Sequence, residues 1–233
     1  QTLQRLEKLQ YESSVGKKFR VPSDDPIGAS KSLKFNTDIS KVEQYLRNAK
    51  DAKAWLLETE SVLNEINSVL HRANVLTVQA ANGPNEQDLS KIQDEIKELR
   101  EHLIQAANST YAGRSLFTGF KTDEKLLNDD GTYNVDINNE EVFVYNVGVA
   151  EKVPVNTLGN KVFGREDGSY TENIPGGGGT NKAYLIKVFD DLIGALDPAN
   201  PGHDVIQESL TKIKDSMDQV LSVTSEIGAR VNR

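Results

Sequence analysis

The stretch VEQYLRNAKDAKAWLLETESVLNEINSVLHRANVLTVQAANG, Val42 to Gly83, decides the fold. Read in sevens, one set of positions holds Val42, Ala49, Leu56, Leu63, Leu70 and Thr77, and the other holds Tyr45, Ala52, Thr59, Ile66, Ala73 and Ala80. This is an a/d seam whose only polar interruptions are two threonines. Six heptads at about 1.5 Å per residue make a rod of roughly 60 Å, far longer than the usual globular helix of about a dozen residues, and such a rod requires partner helices. Trp55, Val62, Val69 and Leu76 each precede an a position. They widen the stripe beyond a two-stranded seam to one that suits a bundle of three or more helices.

Working outward, the first partner comes at once. Gly83-Pro84 breaks the rod, Asn85 is placed to cap a new helix, and Leu89, Ile92, Ile96, Leu99, Leu103 and Ala106 recur at alternating intervals of three and four. So short a turn makes the two helices antiparallel. Upstream, residues 1 to 15 read as helix with Gly16 as its stop, and Lys17 to Pro22 as extended chain. Asp25 then caps a helix with Pro26 at its first position. From Ile27 through Leu33 and Ile39 the pattern is less regular, but no proline interrupts it, so the helix runs straight into Val42. A second long rod closes the chain. Leu185, Val188, Leu192 and Leu196 keep helical spacing, residues 197–202 interrupt it, and beyond His203 the positions Ile206, Leu210, Ile213, Met217, Val220, Thr224, Ile227 and Val231 alternate four and three.

From Leu116 to Thr180 the helical period is lost. Tyr133, Val135 and Ile137, then Val142 to Val149, then Val153 and Val155 alternate with polar residues as strands do, and Asp130-Gly131, Asn138-Asn139 and Asp167-Gly168 supply turns between them. Gly176 to Gly179 lacks the Lys-Ser or Lys-Thr of a phosphate-binding loop and reads as a flexible exit. The predicted fold is therefore α+β: a long antiparallel α-helical coiled-coil rod with a small inserted β-rich domain. Residues 1–117 and 181–233 form the rod and residues 118–180 the insertion. In this arrangement the chain ends lie together and the β insertion lies distal to them.

Composition narrows the function. With 37% hydrophobic and 27% charged residues the 233-residue chain reads as a soluble globular protein, and no run approaches the roughly 18 apolar residues of a membrane span. No signal peptide opens it. Apolar periodicity runs to both ends, at Leu3 and Leu6 and at Ile227 and Val231, so the sequence reads as trimmed from a longer protein. The absence of cysteine removes disulfides, thiolate metal sites and cysteine nucleophiles. A net charge of -8 argues against nucleic acid, and the one compact basic run, Lys17, Lys18 and Arg20, has only Phe19 among it. His71, His102 and His203 are scattered without metal-ligand spacing. Asp24-Asp25, Asp129-Asp130 and Asp190-Asp191 have capping, turn and helix-surface explanations. No catalytic, cofactor or metal constellation emerges. An enzyme or sugar-binding module in the β insertion would rest on exposed Tyr133, Tyr145 and Tyr170, which strand packing explains equally well.

Several segments resemble the flagellin superfamily. They are Val21 to Ser30, Arg47-Asn48-Ala49-Lys50-Asp51-Ala52, Val78 to Gly83, Ile92 to Ile96 and, at the other end, Ser225 to Arg230. Pro22-Ser23-Asp24-Asp25-Pro26 and Tyr111-Ala112-Gly113-Arg114-Ser115-Leu116-Phe117-Thr118-Gly119 are similar to the hook-filament junction branch of that superfamily rather than to the filament subunits. The resemblance implies a secreted, non-catalytic structural protein of the bacterial flagellum, exported by the flagellar secretion apparatus with an export chaperone. It further implies ring self-assembly in full-length form between the first hook-associated protein and filament flagellin; the alternative it leaves is a flagellin itself. From the cations, the acidic pair and the prolines that direct the backbone outward, the loop of Lys17, Arg20, Pro22, Ser23, Asp24, Asp25 and Pro26 is the expected subunit contact.

Overall fold

The computed structural model describes residues 6, 10, 11, 13, 14, 16, 26–83, 85–175 and 181–233. Among them Leu6, Gln10, Tyr11, Ser13 and Ser14 are helical, and Gly16 takes φ +67°, the left-handed conformation of a residue just past a helix end. Helix α1 then runs from Pro26 to Ala81 without a break, 56 residues or about 84 Å. Two residues past its end, Gly83 takes a φ of +70° and turns the chain. Helix α2, Glu86–Ala107, starts as its sequence requires: Asn85 Oδ1 accepts from Asp88 N at 2.9 Å, and Glu86 and Asp88 place negative charge at the positive end of the helix dipole.

The pairing of α1 with α2 is antiparallel. Arg72 Nη2 donates to Glu95 Oε2 at 2.9 Å, and His102 Nε2 lies 2.9 Å from Glu65 Oε1. Seven residues back along α1, from 72 to 65, thus correspond to seven forward along α2, from 95 to 102. Helix α3, Gly159–Phe163, is a single short turn, and α4, Tyr184–Ala195, runs back along α2. There Gln93 Nε2 donates to Ile193 O at 2.9 Å and Arg100 Nε to Asp190 Oδ1 at 2.5 Å. Helix α5, His203–Asn232, starts beside the end of α4, where Gly202 N donates to Ala195 O, and returns along α1.

The seam predicted for α1 is buried from Ala52 to Ala80, with Leu56, Leu63, Ile66, Leu70 and Ala73 in the core together with Val62, Val69 and Leu76. Its two threonines are fully buried yet satisfied, because Thr59 Oγ1 donates to Trp55 O at 2.9 Å and Thr77 Oγ1 to Ala73 O at 2.7 Å. Before Ala52 the expected seam is not a core. Val42 is exposed and Tyr45 and Ala49 are only half-buried, because α5 and α2 have ended and Asn146 reaches this part of α1 at Asn48 without closing over the seam. The stripe on α5 also departs from expectation. Ile206, Ile213, Val220 and Ile227 are buried, but the positions between them are Ser209, Ser216 and Val223 rather than Leu210, Met217 and Thr224, which lie at the flanks.

The region between α2 and α4 holds less strand than its alternation predicts. Its strands are β1, Thr110–Tyr111, paired with β2, Arg114–Ser115, and β3, Val144–Asn146, paired with β4, Lys152–Pro154, all antiparallel. Single bridges join Leu127 to Tyr133, Thr132 to Lys182 and Ile137 to Ile174. The predicted turns are present. Gly131 takes φ +84°, and a Cβ there would lie 2.4 Å from Ile186 Cγ2, so the turn must have glycine. This region also does not lie distal to the chain end. Asn48 Nδ2 donates to Asn146 O at 2.8 Å, and Arg233 Nε to Glu151 Oε1 at 3.0 Å, which sets the β3–β4 hairpin beside the last residue and the middle of α1. Its buried side chains, among them Phe117, Leu126, Tyr133, Val153 and Phe163, lie among those of the helices in one core.

Leu63 and Val42 occupy equivalent heptad positions, one at 0% exposure and the other at 63%. Leu63→Ala is expected to cost about 2–5 kcal/mol and to lower Tm markedly, and Val42→Ala to stay within about 0.5 kcal/mol. Thermal unfolding of the two variants checks this; equal melting temperatures would place the seam wrongly.

Candidate assembly surface

Of the predicted contact loop, Lys17, Arg20, Pro22, Ser23, Asp24 and Asp25 lie outside the described residues. Pro26 is described, exposed at the first position of α1, as its fixed φ favours. Beyond Pro26 lies the most apolar exposed surface among the described residues. Phe35, Ile39, Val42 and Leu46 recur at four, three and four along α1 and are 64%, 57%, 63% and 55% exposed. Ile27 and Leu33 add to the same segment. Residues 26–50, about 38 Å of helix, therefore form a rod whose apolar stripe has no cover among the described residues. Sequence reasoning missed this stripe by extending the buried seam into it. The irregular spacing from Ile27 to Ile39 was the available signal.

Behind the stripe, the body is tied by side-chain amides. Asn108, at the end of α2, donates through Nδ2 to Leu127 O and accepts at Oδ1 from Leu127 N, both at 2.9 Å. Asn156 does the same between Phe143 N and Glu141 O, each at 2.8 Å. Asn160 reaches Asn139 Oδ1 at 2.7 Å and Glu172 O at 2.9 Å, and Gln219 on α5 donates to Lys161 O at 2.9 Å. Arg100 adds charge to this set, holding Asp190 on α4 and the carbonyl of Asp130 at 3.1 Å.

The tyrosines that would support a binding module are structural here. Tyr133 is 3% exposed and donates to Gly164 O at 2.7 Å. Tyr170 is half-buried, with its hydroxyl 3.3 Å from Ser216 Oγ and its ring edge-on to Tyr184. Tyr145, also half-buried, lines a cavity of about 30 Å³ with Trp55 and Phe143, room for one water and not for a sugar. Among the described residues no group of three or more His, Asp or Glu is placed to hold a metal ion, and no helix is long and apolar enough to cross a membrane.

Burial pushes the Tyr133 hydroxyl well above its usual range, with a smaller contribution from Tyr170. A group whose pKa is raised by folding contributes stability that is complete below its unfolded value, about 10, and is lost as pH rises through the folded value. The protein is thus expected to unfold at alkaline pH. Tyr133→Phe should flatten that alkaline loss while costing about 0.5–1.5 kcal/mol at neutral pH through loss of the hydroxyl's hydrogen bond to the Gly164 carbonyl, which keeps Tyr184 N as its donor at 3.3 Å. Urea titrations across the pH range check both signs; an alkaline limb unchanged by the substitution would remove Tyr133 from it.

The long helical body and its short antiparallel sheets have close counterparts among known proteins. Residues 1–122 match the family model described as the bacterial flagellin N-terminal helical region. Flagellar hook-associated protein 3 of Escherichia coli is 27% identical over 232 residues, covering 94% of this chain and 71% of that protein. Flagellin of Shigella flexneri is 28% identical over 84% of this chain and 33% of its own length. A solved structure of a flagellar hook-associated protein from Vibrio parahaemolyticus superposes with a TM-score of 0.75 at 27% identity, covering 91% of this chain and 90% of that one. With more than half of its length inside the family match, the chain belongs to the bacterial flagellin family.

Proposed function

We propose that this chain is a structural, axial protein of the bacterial flagellum that forms the junction layer between hook and flagellin filament and catalyses nothing. One observation carries the choice of junction over filament. The likeness to hook-associated protein 3 spans 71% of that relative, the region between α2 and α4 included, whereas the likeness to flagellin stops at 33% of the flagellin's length. In this reading residues 1–117 and 181–233 are a coiled-coil rod and residues 118–180 an inserted β-rich domain. The end of α2 at Ala107 and the return of helix at Tyr184 support the division.

The same reading supplies partners. The first hook-associated protein lies on the hook side and flagellin on the filament side; full-length copies close into a ring after chaperoned export through the flagellar secretion apparatus. The exposed stripe of Phe35, Ile39, Val42 and Leu46 suits burial within such an assembly, since soluble monomers rarely leave a contiguous apolar face of this kind uncovered. The loop from Lys17 to Pro26 leads into that stripe and is the proposed contact with a neighbouring subunit.

The test is complementation of bacteria lacking the native protein. Asp24→Ala, Lys17→Ala and Arg20→Ala are expected to leave Tm unchanged, since each leaves Asp25, the cap expected from the sequence, in place, and to reduce motility and filament attachment. Full motility with all three would leave the loop as a mere connection. Failure of the wild-type chain to restore attached filaments, while it folds and is exported, would count against the junction assignment itself.

A further inference from the structure

The turn that joins α1 to α2 carries the one Asn-Gly pair in the sequence, Asn82-Gly83. Both residues are exposed, and the Asn82 side-chain amide has no partner among the described residues. Gly83 has no side chain to shield its backbone nitrogen, and nothing lies within 4 Å of where a Cβ would stand. That nitrogen donates to Ala80 O at 3.3 Å, beyond the usual range of a backbone hydrogen bond.

We propose that Asn82 is a site of spontaneous covalent modification, taking water as its co-reactant. Hydroxide removes the proton from Gly83 N, which attacks Asn82 Cγ; the new C–N bond forms, the bond from Cγ to the amide nitrogen breaks, and ammonia leaves. The resulting cyclic imide then adds water at one of its two carbonyls. Opening at one gives aspartate, and opening at the other gives isoaspartate, with the chain rerouted through the former side chain. No electrons change hands.

The fold protects the comparable positions and leaves this one open. Asn85 Oδ1 is occupied by Asp88 N, and both amide atoms of Asn108 and of Asn156 are engaged with backbone. In the two Asp-Gly turns, Asp130 Oδ1 accepts from Thr132 N and Asp167 Oδ1 from Ser169 N, each at 2.9 Å. Conversion at Asn82 places a carboxylate at the negative end of the α1 dipole, close in sequence to Glu86 and Asp88. Isoaspartate also lengthens the backbone of the short connection between buried Ala80 and buried Leu89, both part of the core. The converted chain therefore loses stability at this end of the bundle. None of this depends on the flagellar assignment.

The folded chain is incubated at mildly alkaline and at mildly acidic pH beside a urea-denatured sample. It is then digested and sequenced by mass spectrometry, with isoaspartyl methyltransferase labelling as a second readout. The expected result is an amide-to-acid mass increase and methyl labelling at Asn82, several-fold faster in alkali and faster than at any other asparagine. Both signals are lost in Asn82→Ser, which keeps the wild-type circular dichroism spectrum, and the converted chain melts below the intact one. The proposal is overturned if Asn82 stays amidated in the folded chain over the time in which the denatured chain converts. Equally fast conversion at Asn108 or Asn156 overturns it too.

Discussion

Everything in this molecule is hung on the buried seam of α1 between Ala52 and Ala80, apolar but for Thr59 and Thr77. Three other long helical segments pack directly or through one another onto that seam, and without cysteine the chain has no covalent link to substitute for it. Each fully buried Leu, Ile or Val contributes about 1.5–3 kcal/mol relative to exposure. The ion pairs that mark the register are far weaker. Arg72 and Glu95 are both more than a third exposed, and such pairs are worth about 0–1 kcal/mol. Register is therefore set by the periodicity of apolar residues, and the charges report it.

That hierarchy explains what was legible in the sequence. A heptad repeat specifies a helix, its length and the face it buries, so α1, α2 with its Asn85 cap and the two helices after the glycine run could all be read. It does not say where the partner ends. Val42 satisfies the repeat as well as Leu63 does, yet it is exposed because α5 finishes beside the middle of α1. Nor does it choose between two adjacent stripes when a helix is covered on several sides. On α5, Ser216 is buried in place of Met217, its Oγ donating to Lys212 O and lying close to Tyr170 Oη, where a longer side chain would meet the Tyr170 ring. The segment from Lys17 to Pro26 departs from the helical period in the sequence, and Pro26 alone of it is described. The exposed stripe beyond Pro26 was hidden by the very regularity that revealed the core.

The region between α2 and α4 was legible in its turns and buried positions but not in its hydrogen bonding. Of the alternating β-branched and aromatic residues, Tyr133, Val135, Ile137, Val153 and Val155 are buried, while Val144 and Val149 are exposed. Alternation says nothing about what pairs the backbone. Here asparagine amides replace ladder partners: each offers a donor and an acceptor spaced like a peptide group, and Asn108 and Asn156 use both against backbone. Such bonds obey no period, so a strand count taken from sequence overestimates the sheet.

The amide ties also bear on how the proposed junction protein would carry load. A β domain joined to a rod only by its two crossing chains would move as a separate body. In this molecule Gln219 on α5 holds the turn of α3, Arg100 on α2 holds the Asp129-Asp130 turn, and Asn48 on α1 holds β3. Three different helices thus grip the same region while its apolar side chains join theirs in a continuous core. Displacing the region would break bonds on all three helices and open that core at once. Before Asn48, α1 carries the exposed apolar side chains of Phe35, Ile39, Val42 and Leu46. The body is therefore the rigid part, and in the proposed junction layer the exposed start of α1 is the part whose surroundings neighbouring chains would complete.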